Sequence, residues 1–478
     1  MYHYASVIGG LDVDSAEVID VLDPATGEAF AQVPAAGADE VDAAVRAARA
    51  AAKDWARTTP AVRGRLLRNL ASLVSGRREE LAALESRDTG KPMKQAYADV
   101  DVAARYFEFY AGAVEALYGD TMTTSPDHFS YTLREPFGVT GHIVPWNYPL
   151  QIGARTVAPA LAAGNCCVLK PAEEAPLGPV LLARLAREAG IPDGVLNVVP
   201  GYGPQAGAAL AAHPGIAHLS FTGSNEVGES VSVAAAANHV PVVLELGGKS
   251  PNVVFDDADL DLAVPVLVNA ILQNAGQTCS AGSRLLVHRA VHTELVDRLA
   301  DRFAAVRMGA GANDPDLGPL ISAAQRDRVA MLVGGAVEAG EARLRHGGGV
   351  PSSLTSRGFF FEPTLLDWVD PTAPIAQQEV FGPVLAVTPF DTEEEALRLA
   401  NGTDYGLIAA IWTRDVGRAH RMARDIHAGQ IYVNTYGAGG GVELPFGGVK
   451  KSGHGREKGF EGLVGYTQVK SVVVRTGP

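Results

Sequence analysis

Between Ala38 and Trp55 the apolar positions Val41, Ala44, Val45 and Ala48 recur at helical spacing, with Asp39 and Glu40 in the first turn. The pattern predicts an amphipathic helix. A second helix is predicted after Pro60, with Leu66, Leu67, Leu70 and Val74 on one side, and a third from about Lys94 to Leu117, closed by Tyr118-Gly119-Asp120. The N-terminal segment therefore reads as mainly helical. Between Phe129 and Gly138 the period shortens to two, which predicts a strand or one arm of a hairpin able to pair with another subunit.

From His142 onward short apolar runs alternate with helical patterns. Strands are predicted at Gly141–Val144, Cys166–Lys170, Val195–Val199 and His218–Phe221, with a helix near Pro179 to Ala189. A second set begins with strands at Val242–Leu246 and Asn252–Phe255, a helix at Leu260–Gln273, a strand at Arg284–His288 and a helix at Thr293–Arg307. It continues with strands at Phe359–Leu365, Val384–Phe390, Ala409–Trp412 and Ile431–Val433, and helices at Glu393–Asn401 and near Val416–Ile426. Such alternation is the mark of parallel sheets covered by helices, and two α/β domains account for it. Gly437-Ala438-Gly439-Gly440-Gly441 reads as a mobile or tightly turned loop, and Thr467–Arg475 as a closing strand.

A chain of 478 residues is long enough for two or three hydrophobic cores. Its net charge of -14 argues against a nucleic-acid groove. No apolar stretch is long enough to span a bilayer, and the start lacks a signal peptide's basic and apolar regions. Three cysteines, two of them adjacent at Cys166 and Cys167, form no sensible disulfide framework. A cytoplasmic protein in a reducing compartment is expected.

Candidate chemistry gathers in a few stretches. Cys279, in Gly276-Gln277-Thr278-Cys279-Ser280, reads as a nucleophile whose small neighbours leave room for a carbonyl and whose backbone N–H faces a developing oxyanion. Glu245 lies inside an apolar strand that ends at Gly247-Gly248, where burial would raise its pKa toward that of a general base; pairing with a nearby lysine is the other reading. Asn147, between Pro145 and Pro149, either donates to an oxyanion or makes a turn. Lys170 and Glu173 could grip ribose hydroxyls or form a solvated turn. Gly223 and Ser224 lie at a strand-turn-helix junction suited to phosphate, and Gly203 falls in a glycine-rich turn; neither stretch has the G-x-G-x-x-G spacing.

Taken together, Pro145-Trp146-Asn147-Tyr148-Pro149, Lys170-Pro171-Ala172-Glu173, Phe221-Thr222-Gly223-Ser224, Glu245-Leu246-Gly247-Gly248-Lys249, Gly276-Gln277-Thr278-Cys279, Glu379-Val380-Phe381-Gly382-Pro383 and the run from Pro445 to Gly453 resemble the aldehyde dehydrogenases over nearly the whole chain. The resemblance implies a Rossmann-type nucleotide domain (1–118 and 139–245), an α/β catalytic domain (246–446) and a β oligomerisation segment (119–138 and 447–478). It implies NAD-linked oxidation of an aldehyde to the acid in a homodimer or homotetramer, with no metal. Cys279 would attack, Asn147 would hold the oxyanion, Glu245 would activate water and Glu457 would relay protons. Trp146, Lys170, Glu173, Gly203, Gly223, Ser224, Leu246, Glu379 and Phe381 would contact NAD. Tyr148, Arg155 and Phe446 would line the substrate tunnel.

Departures from the family pattern bear on the substrate. Many members carry an apolar residue at Arg155 and a lysine at Thr156. An arginine here is similar to the semialdehyde and aromatic aldehyde branches, although the semialdehyde branch's second arginine is replaced by Gln273. The position also argues against betaine aldehyde. Hydroxylated or carboxylated aromatic aldehydes are the expected substrates if Arg155 faces the pocket; the alternative is an Arg155 tied to an acid within the fold. A coenzyme A-acylating enzyme and a non-catalytic relative are the other functional readings.

Overall fold

The computed structural model describes residues 2–354, 358–437 and 441–477. Residues 438–440 of the predicted glycine loop lie outside this set. The first sheet has eight strands, in the order Gly453–His454, Val242–Glu245, His218–Thr222, Val139–Val144, Cys166–Pro171, Leu196–Val198, Ser6–Ile8 and Leu11–Val13. Its middle five run parallel, while both margins are antiparallel. Val139–Val144 and Cys166–Pro171 are buried at every residue, as strands covered on both faces must be.

The second sheet has seven strands and runs Arg343–His346, Thr364–Asp367, Val384–Phe390, Arg284–His288, Pro251–Val254, Ile408–Trp412 and Gln430–Val433. All its neighbours are parallel except the first pair. The chain passes from one sheet to the other through Leu246–Ser250. A third sheet joins Thr121–Ser125, His128–Pro136 and the closing strand Thr467–Arg475, the last two paired from Thr467 opposite Pro136 to Arg475 opposite His128.

The N-terminal segment departs from its mainly helical reading. Five short strands precede residue 35; two extend the first sheet and the others form a small sheet of their own. The helix expected to reach Leu117 is α-helical over Met93–Ala113, with a 3₁₀ turn at Val114–Ala116. Helices Arg78–Thr89, Pro149–Ala163 and Ala323–Glu338 were not expected. Pro149–Ala163 is buried on nearly every side, so it has no polar face to set a period. Arg78–Thr89 buries Glu85 and Asp88, so its inward face does not look apolar. Of the expected strand Phe359–Leu365, only the part from Thr364 onward pairs, because its ladder with Val384–Phe390 begins there.

Candidate active site

The loop carrying Cys279 is bent by three consecutive residues with positive φ, Asn274 at 49°, Ala275 at 54° and Gly276 at 71°. Such backbone persists only where surrounding structure holds it. Asn274 Nδ2 donates to the carbonyls of Asn147 at 2.9 Å and Gln277 at 3.3 Å. Gln277 in turn donates to the Asn274 carbonyl at 3.1 Å and accepts from the Ile321 N–H at 2.8 Å. At Gly276 any side chain would collide with the Gly382 carbonyl.

Cys279 borders two cavities. One, of about 250 Å³, is lined by Trp146, Asn147, Gly223, Ser224, Glu245, Gly247, Glu379 and Phe381 among others. The second, of about 460 Å³, is lined on its aromatic side by Tyr106, Tyr148, Tyr432, Tyr436 and Phe446, and on its polar side by Arg155, Gln273 and Lys458. Cys279 therefore lies between two compartments. Burial pushes it up to about 12, while the Arg155 charge acts in the opposite direction.

Asn147 donates one amide N–H to the Gln277 carbonyl at 2.9 Å, which fixes the side chain beside the cysteine loop. Glu245 is buried, and neither carboxylate oxygen has a hydrogen-bond partner among the described residues. Its pKa is held well above the usual carboxylate range by burial and then by the neighbouring Glu457 charge. The expected alternative of an acid paired with a nearby lysine is not what the structure shows: no ion pair to Glu245 is present among the described residues.

Arg155 has its partner within the chain. Its Nε lies 2.5 Å from Glu457 Oε2, Nη2 donates to Thr222 Oγ1 at 3.3 Å, and the guanidinium sits 5.2 Å from the Phe446 ring centre. Ser220 donates to the other Glu457 oxygen at 2.9 Å. Burial is the largest influence and opposes the guanidinium charge, but Glu457, with Tyr106, Glu245 and Cys279 behind it, more than offsets it, and the pKa is raised. The acid that Arg155 needs is thus supplied 302 positions along the chain, although Arg155 still borders the larger cavity.

On the other side, Ser224 caps helix Asn225–Ala236, accepting from the Val227 N–H. Glu379 accepts from the Gly248 N–H at 2.9 Å, and burial pushes its carboxyl up to about 7. Phe381, at φ 57°, meets Trp146 edge to face. Lys170 bonds Glu173 at 2.8 Å, and Glu173 accepts from the Gly203 N–H at 3.3 Å. Lys170, Glu173, Gly203 and Leu246 are not among the residues lining the smaller cavity. Gln325 and Arg328 are, and both were missed because their helix was missed. Lys458 was missed as well, although it adjoins Glu457 in sequence.

The aldehyde dehydrogenase family model matches residues 12–472. Retinal dehydrogenase 2 of Homo sapiens is 43% identical over 469 residues, which span 97% of this chain and 89% of that protein. The chain belongs to the aldehyde dehydrogenase family. A crystal structure from Burkholderia cenocepacia, described as a candidate aldehyde dehydrogenase, is 55% identical with a TM-score of 0.97, over 99% of this chain and 100% of that one. An aldehyde dehydrogenase from Bacillus cereus, solved with NAD⁺, is 40% identical with a TM-score of 0.97, over 99% of this chain and 96% of that one. The expected fold class and enzyme class hold.

In this aldehyde dehydrogenase a buried lysine sits behind the site. Lys91 lies 3.0 Å from Glu85 and 2.5 Å from Asp99, donates to the Asn147 carbonyl at 3.0 Å, and stands 4.5 Å from the centre of the Tyr148 ring. Two acids hold the cation, and the cation holds the Asn147-Tyr148 corner. Removing one partner of a buried charge cluster leaves the others uncompensated, which costs about 3–5 kcal/mol. Lys91→Met is expected to lose stability on that scale in urea unfolding. A loss under about 1 kcal/mol would show the cluster to be well solvated.

Proposed function

We propose that this enzyme oxidises an aldehyde to its carboxylic acid with NAD, through a thioester on Cys279 that water, activated by Glu245, then hydrolyses. The observation that carries this reading is the thiol bordering both cavities, with an unpartnered carboxyl in one of them.

The smaller cavity fits the nicotinamide end of the cofactor. Glu379 offers a buried carboxylate to ribose hydroxyls, the capped start of helix Asn225–Ala236 suits phosphate, and Phe381 and Trp146 supply flat apolar walls. Glu173, held by Lys170 and the Gly203 N–H, suits the adenosine ribose and would repel a 2'-phosphate, which favours NAD over NADP. NAD-bound structures of relatives support the same choice.

Cys279 Sγ, as thiolate, forms a bond to the aldehyde carbon, and the carbonyl electron pair moves onto oxygen. The Asn147 amide and the Cys279 N–H would stabilise that oxyanion. NAD, when bound, supplies the acceptor for the hydride that leaves this adduct. Glu245 takes a proton from water, the resulting hydroxide adds to the thioester carbon, and the carbon-sulfur bond breaks to release acid and thiolate. Glu457, ion-paired with Arg155 and close enough to raise Glu245, is suited to receive that proton onward. A coenzyme A-acylating enzyme would not need Glu245. A non-catalytic relative would not need Cys279, Glu245 and Asn147 together.

The proposed division keeps residues 1–118 and 139–245 for nucleotide, 246–446 for chemistry, and 119–138 with 447–478 for association. Gly453–His454 reaches back to edge the first sheet. The third sheet exposes Phe129, Leu133, Val469 and Val473. An apolar open sheet of this kind favours a homodimer or homotetramer. Among the described residues no helix is long and apolar enough to cross a membrane, and no His/Cys/Asp/Glu group could hold a metal. The cysteines are free, which supports a cytoplasmic setting.

Cys279→Ala is expected to abolish aldehyde oxidation while NAD binding, followed by calorimetry, persists; turnover within tenfold of the parent would sink the nucleophile assignment. Glu245→Gln is expected to keep a rapid NADH burst and slow the steady state. Loss of the burst as well would move Glu245 to an earlier step, deprotonating Cys279. Val473→Asp is expected to give a smaller assembly by light scattering, and an unchanged mass would remove the third sheet from the interface.

A further inference from the structure

Between the first sheet and helix Pro149–Ala163 runs a buried layer of polar side chains that ends on Glu457. Thr140 and His142 lie two residues apart on strand Val139–Val144, and Ser220 stands in register with His142 on the neighbouring strand His218–Thr222, so the three share one face of the sheet. Thr156 comes from the helix, and Tyr466 follows the short helix Gly459–Gly465. All of them are buried, as is Glu457. Thr140 Oγ1 lies 2.8 Å from His142 Nε2, His142 Nδ1 lies 2.7 Å from Thr156 Oγ1, and Thr156 Oγ1 lies 2.6 Å from the Tyr466 hydroxyl. Tyr466 is hydrogen-bonded in turn to Ser220, which donates to Glu457 Oε1 at 2.9 Å.

Counting hydrogens gives this chain a direction. Burial, and next His218, hold His142 down to about 3, so its ring is neutral with one hydrogen; burial, and next the Glu457 charge, keep the Tyr466 phenol protonated. Each hydroxyl also has one hydrogen, so there are as many hydrogens as contacts. The Glu457 carboxylate, ion-paired with Arg155, has none to give. Ser220 gives its hydrogen to Glu457 and so accepts from Tyr466, Tyr466 accepts from Thr156, Thr156 from His142 Nδ1–H, and His142 Nε2 from Thr140. Any other assignment leaves two acceptors face to face without a hydrogen, which is costly in a buried layer. The other acceptors open to Thr140, the Cys166 carbonyl at 3.4 Å and the Cys167 sulfur at 3.6 Å, are both farther away.

Resting on the reading above, in which Glu457 receives the proton that Glu245 takes from water, we propose that Ser220 and Tyr466, aligned by Thr156 and His142, are positioning residues for thioester hydrolysis that fix the Glu457 carboxylate beside Glu245. The backbone brings the two acids together: Gly453, ahead of Glu457, pairs with Glu245 from one side, and Thr222, two residues past Ser220, pairs with it from the other. Arg155 faces one Glu457 oxygen and Ser220 donates to the other, so the carboxylate is held against rotation. Each donor in an aligned chain polarises the next, which makes the last bond stronger than a lone serine would give. The chain thus bears on hydrolysis and leaves the attack of Cys279 to other groups.

The test separates the two half reactions without needing the natural aldehyde. With NAD present, 4-nitrophenyl acetate acylates Cys279; nitrophenolate release reads acylation, and the intact mass of the acetyl-enzyme reads hydrolysis, in the parent, Ser220→Ala, Ser220→Thr, Tyr466→Phe and Glu457→Gln. The NAD-induced shift in melting temperature checks that each variant is folded, and Ser220→Ala and Tyr466→Phe break the chain at different points, so either one decides. Acylation is expected to stay within about twofold of the parent in the Ser220 and Tyr466 variants, while hydrolysis slows about tenfold in Ser220→Ala and about threefold in Tyr466→Phe. Ser220→Thr, which keeps the hydroxyl, is expected to restore hydrolysis. Hydrolysis at the parent rate in both Ser220→Ala and Tyr466→Phe overturns the inference, and so does an equal slowing of acylation. Hydrolysis at the parent rate in Glu457→Gln counts against the role given to Glu457 in the functional reading, and a parent that the ester does not acylate at Cys279 counts against the nucleophile itself.

Discussion

Everything at this site depends on the close approach of two loops to one pair of glycines. Leu246–Lys249 is where the chain leaves the first sheet, and at Gly247 and Gly248 two segments of the second half of the chain come against its backbone. A side chain at Gly247 would strike the Glu379 carboxylate, and one at Gly248 would strike the Cys279 carbonyl. The absence of two Cβ atoms thus lets the Glu379 carboxylate and the Cys279 loop, 100 residues apart, rest against the end of the same strand. Glu245, two residues earlier on that strand, is brought to the same place without further machinery. The second sheet contributes through loops that enter its strands, and the first through loops that leave its strands, so the site lies where the two sheets face each other.

The electrostatics of the site follow from that burial. Cys279, Glu245 and Glu379 are all displaced toward their neutral forms, because water has been replaced by backbone and apolar side chains. Positive charge is supplied by Arg155, held in place by Glu457 and the Phe446 ring, so one cation counteracts part of the upward shift of the thiol while paired elsewhere. A lysine in that place would be a weaker fixture, since guanidinium stays charged in such surroundings and also stacks on a ring.

Much of this was legible in sequence, and the misses share a cause. The Glu245-Leu246-Gly247-Gly248 and Gly276-Gln277-Thr278-Cys279 stretches announce themselves because the chemistry and the close approach use residues within a few positions of each other. The parallel strands were read from their apolar runs. Helix Pro149–Ala163 was not, because burial all round leaves no period, and Arg78–Thr89 was not, because Glu85 and Asp88 face inward toward partners supplied by Lys91 and the Leu177 N–H. The partner of Arg155 was equally invisible. A buried arginine must find an acid, but sequence gives no means of choosing Glu457 over a substrate carboxylate.

Around the site, groups with every hydrogen bond made stand beside groups with none. The holding groups are saturated: Lys91 has two acids, a carbonyl and a ring; Gln277 uses both ends of its amide; Asn274 bridges two carbonyls. Glu245 and Asn147 are not. Both oxygens of Glu245 and the Asn147 amide oxygen are buried without hydrogen-bond partners among the described residues, and an unsatisfied buried polar atom costs about 1–3 kcal/mol. That cost is sustainable only beside a network stiff enough to stop the site from collapsing onto its own hydrogen-bonding groups. Rigidity around Asn147 and the unpartnered Glu245 carboxyl are therefore linked: the hydrogen bonds of Lys91, Asn274 and Gln277 hold the backbone around the site, so that it does not close over that carboxyl.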